Sequence, residues 1–414
     1  MNHVKIFLFL IIFPFISFAQ SSSSYSRYGV GDIEYTYSAR SLGLGHTGVA
    51  SLKSGYVELL NPASWSAIRL TRIEFSLALN GIKISNQDNS AFYTDSDLKG
   101  FTFAFPISTK YGIGFASGLL PYSRINYKVI HNNVDSNEPG GDNTIAYEGD
   151  GGLSMLFIGT SYKTPFDWLV GVSVEYYFGK QTYSSKIEFD DPTLDAAEFE
   201  NSYRSTGFGT TVGLISNNLA GLFESETVTN LRFGLSANII SDLDTDTSLT
   251  RNPATLADTV VSGKTKLSVP IRITGGITLQ LKNVYNFNLE YTYQPWTEYK
   301  LSGIKSNFLK DVHKISFGFE YAPVWRLGKS TWEQIMWRAG LSYESTQYKI
   351  NGTDINQYSV FAGLSIPLSF GNTFDLGLEY SLRGTTSFDL LKENFFKINV
   401  GISLGDLWFQ RVEK

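Results

Sequence analysis

Tyr285-Asn286-Phe287-Asn288-Leu289-Glu290-Tyr291-Thr292-Tyr293-Gln294 alternates without interruption: Tyr285, Phe287, Leu289, Tyr291 and Tyr293 on one side, Asn286, Asn288, Glu290, Thr292 and Gln294 on the other. A period of two describes a β-strand with one apolar and one polar face. The same texture recurs from Leu70 onward. Ile73, Phe75, Leu77 and Leu79 alternate with Arg72, Glu74, Ser76 and Ala78; Ile315, Phe317 and Phe319 oppose Ser316, Gly318 and Glu320; Phe374, Leu376, Leu378 and Tyr380 oppose Asp375, Gly377 and Glu379. Strands of soluble proteins usually run about 5–6 residues, whereas a tilted membrane-spanning strand needs about 9–11. Several of these runs pass ten. Their polar faces carry Arg232, Arg272, Glu290, Glu320 and Glu379 among Gly and Ser, which suits a wet or filled lumen with the apolar face turned to lipid.

The expected fold is therefore all-β: a transmembrane antiparallel β-barrel of about fourteen strands, an even number, with an N-terminal hatch plugging the lumen. The strands are expected at 70–84, 98–106, 111–130, 146–163, 167–183, 200–216, 230–241, 264–281, 284–298, 311–322, 333–348, 356–368, 373–385 and 394–404. Short connections near Pro106, Pro165-Phe166, Asn283 and Gly371-Asn372 alternate with long polar ones at 86–97, 131–144, 184–200, 241–263 and 300–310. Periplasmic turns and outer loops give that alternation; the connections 217–230 and 323–332 are long for turns. Aromatic residues near strand ends (Tyr293, Trp296, Trp325, Trp332, Trp337, Trp408 and Phe409) are expected at the headgroup level.

The chain of 414 residues has no cysteine, a formal net charge of −5 and only 18% charged residues. No disulfide framework, thiolate metal site or nucleic-acid surface is compatible with that usage. Residues 1–19 read as a secretory signal peptide: Lys5, the apolar run Ile6 to Phe18, and Ser17-Phe18-Ala19 as the cleavage site. Residues 20–66 form a tail and plug, and 67–414 the barrel. The chain is expected in a bacterial outer membrane.

The stretch Ala39 to Ser64 differs from all that follows. Gly43, Gly45 and Gly48 match the dinucleotide pattern GxGxxG, but no buried strand precedes them and no βαβ context follows. Glycines of this spacing also let a backbone turn and pack inside a confined lumen. Asn61, Pro62 and Ala63 end the stretch just before the first strand. Asp242, Asp244 and Asp246 imitate a calcium loop, but Thr247 replaces its glycine and Pro253 its bidentate glutamate. His46, His131 and His313 are isolated, and alternation puts His313 and Ser316 on opposite faces. No catalytic residue, metal site or cofactor is expected. Arg72, Arg232, Arg272 and Arg383 point inward and are candidates to meet a carboxylate headgroup, or else to pair with inward glutamates. The run Tyr111 to Ile130 contains Gly118 and Pro121; a proline inside a barrel strand implies a bulge or a gap in the wall.

An exported β protein with Gly43-x-Gly45-x-x-Gly48 and then Asn61-Pro62-Ala63 before its first strand resembles the FadL-type outer-membrane transporters, channels for long-chain fatty acids and aromatic hydrocarbons. The family's usual glycine after that triplet is Ser64 here, and the segment Tyr25 to Asp32 is similar to the starts of barrel proteins from Bacteroidota. The resemblance implies a fourteen-stranded barrel, a hatch ending at Asn61-Pro62-Ala63, and a third-strand kink, here at Gly118 and Pro121, that opens a lateral hole. It implies passive uptake of a hydrophobic small molecule that leaves sideways into outer-membrane lipid. The alternative it offers is a barrel scaffold that binds protein partners through its long outer loops, like the FadL-related component of the type IX secretion system.

Overall fold

The computed structural model describes residues 23–407 except 36, 134–142, 190–195, 224, 252–257, 325 and 327. The proposed signal peptide, Trp325, Trp408 and Phe409 lie outside the described residues. Fourteen long antiparallel strands make the wall: β1 Thr71–Ser85, β2 Ser90–Ser108, β3 Ile113–Asn133, β4 Asn143–Lys163, β5 Leu169–Phe189 and β6 Ala197–Ile215, then β7, β8, β9 Tyr285–Gln294, β10 Val312–Tyr321, β11 Met336–Ile350, β12 Thr353–Ser369, β13 Asn372–Gly384 and β14 Lys392–Asp406. Two of them are broken in the middle. β7 comprises Val228–Ile240 and Leu243–Arg251, both laddered to β6. β8 comprises Asp258–Ser268 and Arg272–Leu281, interrupted around Pro270, which has no N–H to give a ladder. β14 pairs with β1 from Asp406↔Thr71 to Lys392↔Ser85, so the sheet closes.

The distribution of polarity is that of a membrane barrel. Leu289 is 52% exposed and Ile315 51%, whereas their inward neighbours Glu290 and Ser316 are each 4% exposed. Apolar side chains face out around the whole wall, and polar ones are buried within it. None of the described helices is long and apolar enough to cross a membrane.

The wall is taller than alternation indicates. β3, β4 and β5 have 21 residues each, roughly 70 Å of extended chain. Even tilted by about 40° they overshoot the ~30 Å hydrocarbon core. Most of what reads as outer loop in the sequence is ladder: 86–97 shrinks to a four-residue turn closed by Asn86 N–H to Asn89 O at 3.0 Å, and the ladder continues into 131–144, 184–200 and 241–263. Outside the bilayer both faces of a strand meet water or protein, so apolar alternation stops while backbone pairing goes on. Trp296 also departs from expectation. It lies in a 3-10 turn beyond β9, 1% exposed, with its ring tilted against Tyr299 at 5.8 Å rather than at a headgroup surface.

Residues 23–68 run inside the wall with little regular structure: 3-10 turns at Ser24–Arg27 and Pro62–Ala67, a two-residue strand Asp32–Ile33, and one short helix, α1, at Ala39–Gly43.

Leu289→Arg distinguishes a lipid-facing from a water-facing surface. At an exposed position of a soluble protein it would be near neutral; facing lipid it is expected to lower unfolding stability by about 2–4 kcal/mol, measured by denaturant titration of the refolded chain in vesicles.

Candidate functional site

Inside the wall, the luminal segment is held by charge. Arg40, from α1, donates to Glu58 at 3.1 Å and to Glu320 of β10 at 3.4 Å. Glu320 also meets Lys53 at 3.7 Å and Arg338 of β11 at 3.7 Å. Arg338 reaches Asp375 at 3.7 Å, and Tyr56 donates to the same carboxylate at 3.1 Å. All of these groups except Lys53 are buried. An ion out of water keeps its charge only if counter-ions and hydrogen bonds replace the solvent, and here strand and segment supply them to each other.

Backbone groups of the segment, lacking a helix or sheet, are satisfied the same way. Glu290 accepts from the N–H groups of Gly48 and Val49, and Glu74 accepts from Val57 N at 3.0 Å. Gly43 and Gly45 work through close approach. A Cβ on Gly43 would stand 2.9 Å from Gly363 Cα, and Gly45, with φ +68°, lies against Gly340. Asn61 caps the turn Pro62–Ala67 by accepting from Ala63 N at 3.0 Å. Its Nδ2 donates to Val49 O, Leu214 O and Leu235 O at 2.7, 3.1 and 3.3 Å. Thus Asn61, Pro62 and Ala63 fasten the end of the segment to β6 and β7.

The four candidate arginines part company. Arg72 donates to Ser54 O and Gly371 O, each at 3.0 Å. Arg383 pairs with Asp32 at 2.9 Å and lies 3.7 Å from Glu393. Both therefore pin the segment. Arg232 binds Asn230 and Ser216 O near the short-turn end, tying down a connection. Among the described residues Arg72, Arg232 and Arg272 form no salt bridge, but Arg272 alone of the four also makes no side-chain hydrogen bond. It stacks near the rings of Tyr35 and Tyr122, at 5.8 and 5.7 Å, and its Nη1 has no hydrogen-bond partner.

The wall has a discontinuity beside Tyr122. β2 and β3 are laddered only from Ser108↔Ile113 to Phe101↔Leu119; beyond that rung no pair joins them among the described residues. Gly118 is thus inside the closed part, and Pro121 lies just past its end. Two irregularities create the break. On β2 the register with β1 shifts so that Lys99 is extra, with Gly100 at φ +145°; Lys99 turns inward and holds Glu34 at 2.8 Å. On β3 the register with β4 shifts between Pro121 and Ser123, turning Tyr122 fully inward. The vacated edge of β3 is taken by the luminal segment, through Asp32↔Arg124 and Ile33↔Ser123. Arg124 then spans the gap to Asp95 and Asp97 of β2. The cavity behind it, lined by Glu34, Lys99, Arg124, Glu379 and Lys397, measures about 80 Å³, well below the ~300 Å³ at which ligand pockets begin. Only the proline signalled this break; the bulge at Lys99 and the strand Asp32–Ile33 have no sequence signature.

The remaining motifs fall elsewhere. Asp244 and Asp246 are strand residues of β7 opposite Lys266 and Lys264, so they do not converge as a loop would. His46 sits in the segment with Glu379 at 3.8 Å and the Phe361 ring at 4.9 Å. Burial, helped by the Lys314 ammonium, pushes its imidazole down to about 4 although Glu379 pulls the other way.

Replacing Glu320 by Gln would leave Arg40, Lys53 and Arg338 without their shared counter-ion. A cost of about 3–5 kcal/mol is expected, seen as faster proteolysis within residues 23–68 while the barrel stays resistant. The depressed His46 value has a definite sign. Unfolded imidazole takes up a proton below about pH 6.5 and the docked one only near 4, so docking is fully stable above 6.5 and loses up to roughly 3 kcal/mol as pH falls to 4. His46→Gln should flatten that part of the proteolysis–pH profile; an unchanged profile would count against this assignment.

Comparison with known proteins gives the same architecture. Among solved structures, the chain is similar to the CymD monoaromatic hydrocarbon channel (16% identity, 92% of this chain and 99% of that one, TM-score 0.57). It is also similar to a Pseudomonas aeruginosa FadL homologue (12%, 90% and 99%, 0.59) and to the Ralstonia pickettii toluene transporter TbuX (15%, 89% and 98%, 0.54). At such identities the likeness is one of fold, that of the FadL-type barrels. No curated protein matches the sequence. The model of the family described as BamG matches residues 1–413. The chain belongs to the BamG family.

Proposed function

We propose that this protein is a gated outer-membrane channel for fatty-acid-like molecules, with a lateral exit where β3 leaves β2. The observation that carries this reading is the unladdered gap beyond Phe101 and Leu119, closed by side chains and by a two-residue strand rather than by the wall itself. Leu98, Phe101 and Leu119 border the gap and are exposed on the lipid side. Inside it stand Tyr122 and, against that ring, Arg272. The arrangement fits a solute with an apolar tail and an acidic head. The head is held by the free Nη1 of Arg272, and the tail emerges between Gly100 and Leu120 into lipid, where apolar surface is stable. Passage requires Asp32–Ile33 to leave β3 and Arg124 to release Asp95 and Asp97. These contacts are half-buried or local, so opening does not require the wall to unfold.

A second reading is supported by the ion network around Glu320. A segment cemented by several buried charges serves equally as a permanent stopper, and the barrel would then act as a scaffold for protein partners through its tall outer wall.

One variant separates the two. Ile33 and Ser123 are opposite one another, at the ~4.5–5.5 Å Cα spacing of antiparallel partners, within reach of a disulfide; the chain has no other cysteine. In cells expressing Ile33→Cys/Ser123→Cys, uptake of a radiolabelled long-chain acid should fall to the level of a deletion strain when oxidised and recover on reduction. Arg272→Gln should reduce uptake of the acid severalfold and leave that of the matching alcohol unchanged. Wild-type uptake by the oxidised form would exclude the lateral route. Unchanged uptake on deletion, with the same proteins co-purifying from locked and unlocked forms, would establish the scaffold.

A further inference from the structure

The outer mouth of the barrel holds a separate cavity of about 520 Å³, within the ~300–1,000 Å³ typical of small-ligand sites. Three distant parts of the chain build it: the end of the turn Ser24–Arg27, the outer halves of β5 and β6, and the hairpin made by Lys300–Leu301 and Ile304–Lys305, which is laddered to the outer half of β8. Four phenol rings line it, those of Tyr28, Tyr183, Tyr203 and Tyr299. Tyr183 and Tyr203 meet edge to face at 6.0 Å, and the Tyr299 hydroxyl donates to Gly29 O at 3.3 Å, so these rings are fixed by packing on each other and on the luminal segment.

The polar groups of this cavity are not used up by the fold. The hydroxyls of Tyr28, Tyr183 and Tyr203 and the Asn201 amide make no hydrogen bond among the described residues. Arg27 lies over the Tyr28 ring at 4.6 Å, and Lys305 of the hairpin also lines the cavity; neither forms a salt bridge among the described residues. Among the described residues, no Asp or Glu contributes to the lining. In the lumen below, by contrast, Arg40, Lys53, Lys99, Lys314, Arg338, Arg383 and Lys397 each have a carboxylate within 4 Å.

We propose that this cavity binds an acidic saccharide. A hydrocarbon would bury phenol and amide groups without partners, each at a cost of about 1–3 kcal/mol. A small inorganic anion would leave four rings unused. A sugar has flat carbon faces to lie on phenol rings, hydroxyls for Asn201 and the tyrosines, and, when it carries a carboxylate or phosphate, a charge for Arg27 and Lys305. The ligand is a free glycan or the headgroup of an outer-leaflet glycolipid, and both present the same chemistry. The inference stands apart from the transport reading, since none of its residues belongs to the gap or to the ion network.

The test uses the full chain in nanodiscs with and without lipopolysaccharide, titrated calorimetrically with trigalacturonate and with its neutral methyl ester. Binding of trigalacturonate in lipopolysaccharide-free discs, weaker by tenfold or more for the ester, is expected for a free glycan. Retention of lipopolysaccharide by the purified wild type, blocking trigalacturonate, is expected for a headgroup. Tyr183→Ala/Tyr203→Ala should abolish either form of binding, and Arg27→Gln/Lys305→Gln should lower the affinity for trigalacturonate at least tenfold and leave the ester unaffected. Melting temperatures should stay at the wild-type value, because these side chains lie outside the ion network. Absence of both trigalacturonate binding and lipopolysaccharide retention would overturn the proposal, as would equal affinity for acid and ester or undiminished binding by the tyrosine variant.

Discussion

Glu320 faces three cations, Arg40, Lys53 and Arg338, and the interior is organised by the requirement that this be so. A wall whose outside must dissolve in lipid has only its inside for polar residues. Alternation therefore forces charges into a narrow lumen where water is scarce and unpaired ions are costly. The luminal segment resolves this as a set of counter-ions and hydrogen-bond donors. It has almost no secondary structure of its own, so its backbone N–H groups need acceptors. The strands offer Glu290, Glu74 and Glu393 for them. Wall and filling are each incomplete without the other.

The break between β2 and β3 follows from the same economy of polar groups. An inserted Lys99 and an inturned Tyr122 divert two side chains from wall to lumen, and each one costs the ladder its register. The freed edge of β3 is an unpaired row of N–H and C=O groups. In a membrane such a row must be covered, and Asp32–Ile33 with the Arg124 bridges covers it. A cover made of side chains and two residues of strand is far easier to move than a β-ladder. That asymmetry is what favours the gap, over the filled axis of the barrel, in the route proposed above.

Above the bilayer the physics changes again. The strands continue as a ladder without lipid on one side or ions on the other, and the wall becomes a scaffold for aromatic and polar side chains. The cavity among Tyr28, Tyr183, Tyr203 and Tyr299 belongs to this upper storey. Its unpaired cations and hydroxyls are tolerated because water reaches them, which is also what leaves them available to a ligand.

The alternation in segments such as 285–294 settled the closed barrel, its even strand number and its inward charges, because side-chain direction in a strand depends only on parity. Pro121 stands where the register of β3 with β4 shifts, and a residue without an N–H is legible wherever it stands. The Asn61-Pro62-Ala63 triplet marked the boundary between segment and wall through the chemistry of capping. The sequence was silent where outcome depended on what came to lie opposite. The outer strand extensions carry no period once lipid is absent, so they read as loops. The four inward arginines look alike along the chain, yet Arg72 and Arg383 are taken by the luminal segment, Arg232 by a turn, and Arg272 by none. Trp296 reads as a membrane-surface residue but folds inward. Those distinctions were made by tertiary structure, because a charge or a ring acquires its role from partners hundreds of residues away that only the closed wall brings within reach.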